Sequence, residues 1–218
     1  MTIEHCISKS NPKIPKVSTR VPNLHQVNGS FQMPWMEPES WVTAVNQFWF
    51  EDLRPIDWFG GGGRIDTEIR ARFGALRDDL KNNPPEAEHL ESDGLVAAVI
   101  VFDQFPRNLF RRSPEAYATD YLALSLASQG VDRGLDTRLG LHQRQFLYMP
   151  FMHSENRDMQ ERSVALFRQL AAADLLDYAE HHCQVIERFG RFPHRNAVLG
   201  RDSTFDEMEF LSSEPEYL

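Results

Sequence analysis

Apolar residues recur at every third or fourth position through most of this chain, and that period admits helices and little else. Trp41, Val45, Phe48 and Trp49 follow Pro38, which suits a first helical position. Ile65, Ile69, Phe73, Leu76 and Leu80 form a second stripe backed by a charged face, and Asn82-Asn83-Pro84-Pro85 stops it. Ser113-Pro114-Glu115 reads as cap, first-position proline and first-turn acid. Tyr117, Tyr121, Leu124 and Ser128 then line one face up to a terminating Gly130. Leu139 to Tyr148 predicts a shorter helix cut by Pro150. Ser154 is expected to cap the next, with Met159, Ser163, Leu166, Phe167 and Leu170 inward. Leu175, Tyr178, His182, Ile186 and Phe189 mark another, and Thr204 with Glu207 forms a capping box before the last.

Leu95 to Phe102, LVAAVIVF, is apolar all round. Its β-branched content favours a strand. A lone strand among helices would leave its backbone unpaired, so helix is the expectation. The run Gly60–Gly63 has no following Lys-Ser/Thr and reads as a flexible connector, not a phosphate loop. The result is an all-α chain of about eight helices arranged as antiparallel hairpins. Residues 1–36 contain Pro12, Pro15, Pro22 and Pro34, show no helical period and form an expected extended arm ahead of a single domain over 37–218.

Charge narrows the partners. The chain carries a formal net charge of −9, while its arm holds Lys9, Lys13, Lys16 and Arg20 against Glu4 alone. The acidic body disfavours nucleic acid, which needs cationic surface. No apolar run approaches the roughly 18 residues of a membrane span, and the N-terminus lacks a secretory core. Cys6 and Cys183 make no disulfide framework, which fits a reducing, cytoplasmic setting.

Three polar clusters sit where helices start or stop. In the first, Asp103 is expected to close an apolar helix, with Pro106 forcing the chain out through Arg107 and Asn108. A carboxylate at a helix C-terminus faces the negative end of the dipole and calls for a cation. The second is His153-Ser154-Glu155, beside the donors of a helix N-terminus where an anion can dock. The third, Ile186 to Arg201, packs Arg188, Arg191, His194, Arg195, Asn196 and Arg201 between rings, glycines and a proline. Such arginines either point outward, meet acids such as Asp103, Asp120 or Glu155, or hold a carboxylate or phosphate. His182 shares its helix's apolar face. Phe105-Pro106-Arg107-Asn108 with Arg111 also echoes Phe192-Pro193-His194-Arg195-Asn196 with Arg201, so two similar helix exits can face each other across a groove.

The strings FDQFPRNLFR, PFMHSE and RFGRFPHRNAVLGR followed by ST resemble the bacterial family labelled domain of unknown function 924, over about Trp41 to Leu211. The resemblance implies an all-helical, tetratricopeptide-like fold. It points to Asp103, Arg107, Asn108, His153, Ser154, Glu155, His182, Arg191, His194, Arg195, Asn196 and Arg201 as a polar signature, and implies no activity. On these residues the expected function is a cleft for a small anionic ligand, with His153, Glu155, His182 and His194 offering acid–base chemistry and the remainder binding. The alternatives are a tetratricopeptide-like interaction scaffold, a metal site built on His153, Glu155 and Asp103 with His182 or His194, and a salt-bridge network that only fixes packing.

Overall fold

A computed structural model describes residues 40–59 and 62–213 with their side chains, and the backbone of 26–27, 30–31 and 38–39. Most of the expected arm, with Cys6, lies outside the described residues, as do Glu37, Gly60, Gly61 and residues 214–218. Within the arm, Gln26–Val27 (β1) pairs antiparallel with Ser30–Phe31 (β2). In sequence Asn28-Gly29 separates them, a hairpin signal that the reading of an extended arm passed over.

The remainder is all-α: α1 Pro38–Asn46, α2 Pro55–Phe59, α3 Gly63–Asn82, α4 Ser92–Val99, α5 Phe105–Leu109, α6 Asp120–Asp132, α7 Leu141–Met152, α8 Arg157–Arg168, α9 Ala173–Phe189 and α10 Phe205–Ser213. None of the described helices is long and apolar enough to cross a membrane. The helix expected at LVAAVIVF is the hub. Every residue from Leu95 to Asp103 is fully buried, and α4 packs against α1, α6 and α7. A segment enclosed on all sides needs no polar face, which is why its sequence shows no period. Helices α7, α8 and α9 then pack in succession through short connections.

Two prolines expected to end helices do not. Past Val99 the chain widens into a π-helical stretch, Ile100–Gln104, and continues into α5 through Pro106. A proline at 106 crowds the Phe102 carbonyl four residues back and cannot donate to it. The wider turn relieves the crowding, and the Thr119 hydroxyl donates to the Phe102 carbonyl at 2.6 Å. Asp103 therefore sits inside a continuous helix instead of closing one. Pro150 is likewise carried within α7, which runs on to Met152.

Three further expectations are corrected. Pro114–Tyr117 forms a 3-10 turn, and α6 begins only at Asp120. Its buried face is Ala123, Leu126, Ala127 and Gly130, while Tyr121 is exposed. Gly130 does not stop this helix. A Cβ there would lie 2.8 Å from Leu95 Cδ1, so glycine is what lets α6 approach α4. The cap of α8 is Asn156, whose side chain accepts from the Met159 N–H at 3.2 Å, rather than Ser154. The capping box of α10 forms as expected, Thr204 N–H to Glu207 at 2.7 Å and Glu207 N–H to Thr204 at 3.2 Å.

Candidate functional site

The π-helical turn aims Asp103 into the interior, where the chain around it supplies every partner. His153, at the C-terminal end of α7, brings Nδ1 to 2.8 Å from Asp103 Oδ1. Arg107 Nη1 lies 3.2 Å from the same oxygen, and Gln104 Nε2 donates to Oδ2 at 2.5 Å. Burial alone raises a carboxyl's proton affinity, but the charge of Arg107 and the hydrogen bonds from His153 and Gln104 outweigh it, holding Asp103 well below the usual carboxylate range. An ionised Asp103 fixes the neutral His153 ring with its proton on Nδ1 and leaves the Nε2 lone pair free. Burial, opposed by Asp103, keeps His153 below its ordinary value and so neutral.

His153 lines a cavity of about 480 Å3 with side chains from α2, α5, α7, α8 and α9. One part of the wall is polar: Gln104, Arg107, Asn108, Arg111 and Gln145. The other is Trp58, Phe59, Met149, Phe167 and Leu175. His182 also faces it, and its Nδ1 lies 2.8 Å from the Tyr178 carbonyl, which again places the proton on Nδ1. Burial pushes His182 down to about 4. The cavity is therefore bordered by two neutral imidazoles, each with its tautomer set by an acceptor behind it. Its volume falls within the roughly 300–1,000 Å3 typical of small-molecule sites.

The three clusters converge, though not all on the cavity. Asp103 with His153 joins the first to the second. Glu155 joins the second to the third, taking Arg201 at 2.7 and 2.9 Å and the Phe192 N–H at 2.8 Å. Asp120 joins the first to the third: Arg107 forks onto it at 2.9 and 3.0 Å, and Arg195 Nη1 lies 3.6 Å away. The two similar strings thus meet at one carboxylate. Their asparagines act alike. Asn108 shares Asp66 with Arg111, and Asn196 shares Glu207 with Arg191. Of the twelve signature residues, Arg107, Asn108, His153 and His182 line the cavity and Asp103 backs it. Ser154, Glu155, Arg191, His194, Arg195, Asn196 and Arg201 form the polar layer behind.

That layer mostly satisfies itself. Arg191 and Arg201, like Arg107 of the cavity wall, are each forked onto a protein carboxylate. Glu155 is held below its ordinary value despite burial, and both its oxygens are engaged by Arg201, one of them also by the Phe192 N–H. Among the described residues, the grouping with metal-ligand spacing is Glu86, Glu88 and His89, which is exposed and includes none of the signature residues. His194 is pushed down to about 3 by burial, with Arg195 adding to the effect, and its Nδ1 has no hydrogen-bond partner.

Sequence reasoning placed Gln104 in the first cluster without a role, and missed Gln145, Asp66 and the aromatic wall of Trp58 and Phe59. Asp66 lies on the charged face of α3 and looks like any solvated acid there. Trp58 precedes the glycine run and carries no periodic signal. Asp120 was legible only as one candidate acid among several.

Comparison with known proteins places the chain. No curated protein matches it. A solved structure of a protein of unknown function from Agrobacterium tumefaciens is similar at 33% identity with a TM-score of 0.75, covering 80% of this chain and 98% of that one. The family model described as bacterial protein of unknown function (DUF924) matches residues 45–215, which contain the buried hub, the Asp103–His153 pair and all three clusters. The chain belongs to that family.

Proposed function

We propose that the cavity binds a small molecule carrying an anionic group on an apolar body, and that His153 acts on it as a general base. The observation that carries this reading is the Asp103–His153 pair at the cavity wall, 2.8 Å apart with the carboxylate fully buried. Asp103 orients the ring and stabilises the imidazolium formed when Nε2 takes a proton from the ligand or from water. Asp103 is thus a positioning residue, and His182 is a second neutral imidazole on the same wall. Arg111 is forked onto Asp66 and keeps only Nη1 for the anionic group, Asn108 keeps its second amide hydrogen, and the Gln145 amide adds a donor, while Trp58, Phe167 and Leu175 suit the apolar body. The same reading includes a cytoplasmic, tetratricopeptide-like small-molecule-binding protein. The scaffold alternative draws less support, because three of the arginines it needs are already forked onto carboxylates.

Thermal unfolding tests it against a panel of aliphatic and aromatic carboxylates and phosphate monoesters. At saturation a true ligand raises the melting temperature by several degrees. The rise should vanish in Leu175→Trp, which fills the cavity. If no member of the panel moves the wild type, or Leu175→Trp responds equally, the cavity is not the site.

A further inference from the structure

Arg195 differs from every other arginine of the polar layer. It is 7% exposed, yet no protein group accepts a hydrogen bond from it among the described residues. Its Nε is fully buried and unbonded. The nearest acid, Asp120, is 3.6 Å away and already gripped by both prongs of Arg107. What holds Arg195 is a pair of rings, Tyr117 with its centroid 4.7 Å from the guanidinium carbon and Phe192 at 4.6 Å. Ring faces stabilise the cation from above and below but accept none of its N–H bonds, which project in the plane of the guanidinium. A buried cation left in this state is costly.

We propose that Arg195 is the anchor of an anion subsite, which takes a carboxylate or phosphate group edge-on through its two terminal Nη groups, the unbonded donors that are not fully buried. The rings fix the plane in advance, so little rotamer freedom is lost on binding. The planar fork matches two oxygens of either anion. The adjoining arginines, Arg107 and Arg201, already have carboxylate partners and contribute positive potential rather than donors. This subsite stands apart from the cavity, which Arg195 does not line, and does not rest on His153 acting as a base.

The test is thermal unfolding of the full chain titrated with inorganic phosphate and, separately, with succinate, in wild type, Arg195→Met and Arg195→Lys. Methionine keeps an apolar side chain between the two rings. At saturation the wild type should gain roughly 2–4 °C with at least one anion. Arg195→Met should lose that gain while melting, without anion, no lower than the wild type, since a buried cation with no hydrogen-bond acceptor has been removed. Arg195→Lys, which lacks the fork, should retain at most a fraction of the gain. General salting effects appear equally in all three proteins and cancel. An unchanged anion response in Arg195→Met, or none in the wild type, overturns the subsite. So does an Arg195→Met protein that melts well below the wild type without anion, because that makes the ring-held cation a structural clamp. Leu175→Trp separates the two readings: it abolishes cavity binding and leaves the Arg195 response intact.

Discussion

Asp103 and His153 lie fifty residues apart in the chain and within hydrogen-bond distance in the fold. Each was legible as a polar residue beside an apolar run. Their pairing was not, because nothing local in LVAAVIVFDQ or PFMHSE encodes which way a π-helical turn aims a side chain. The pair makes a prediction at its own scale. Burial lowers the proton affinity of His153, and Asp103 is the group that raises it. The titration midpoint of His153, followed by side-chain nitrogen NMR, should lie below the ordinary value of about 6.5. It should fall further in Asp103→Asn. A midpoint that stays put or rises in that variant contradicts the assigned role of Asp103.

Among the elements, α4 with its π-helical continuation decides most. The sequence correctly marked it as helix by exclusion, since no neighbouring segment could pair with a strand. It misjudged where the helix stops, because the rule that proline ends a helix assumes the carbonyl four residues back has no other donor. Thr119 supplies that donor. Thr119→Val should therefore cost roughly 1–3 kcal/mol in chemical denaturation, the typical penalty for removing a buried hydrogen-bond partner. The cost should shrink in a Pro106→Ala background, where residue 106 regains an N–H; equal costs in both backgrounds would show that the two positions are not coupled. Gly130→Ala isolates the α4–α6 contact. Alanine gains up to about 1 kcal/mol in helix propensity, but its Cβ meets fully buried Leu95 at 2.8 Å. Overpacking of about 1–3 kcal/mol should win and leave a destabilised protein. A more stable variant would mean that α6 can retreat from the hub.

For the whole molecule, half-buried neutral histidines set the acid response. His182 and His194 are pushed down by burial to about 4 and about 3, below their unfolded value of about 6.5. Protonation therefore favours the unfolded chain. Stability is fully present above pH ~6.5 and is lost as pH falls towards the folded values, by up to about 1.4 kcal/mol per pH unit for each ring. The partnered carboxylates act lower; Glu207, held by Arg191 down to about 2, loses its contribution only below about pH 4.5. Denaturation between pH 6.5 and 4.5 should show a falling free energy whose slope lessens in His194→Gln, and an equal slope in that variant would remove His194 from the account. The all-α class and most helix positions were readable from period and caps, and the polar signature from the family resemblance. The cavity was not, since its aromatic wall comes from α2, a five-residue helix with no period of its own. The central claim is that His153 meets a ligand in this cavity through Nε2. The most direct measurement is side-chain nitrogen NMR of the histidines during titration with whichever compound most raises the melting temperature. The account predicts a saturable shift of His153 Nε2 while Nδ1 keeps its proton. A ligand that saturates the protein and leaves the His153 resonances unmoved contradicts it.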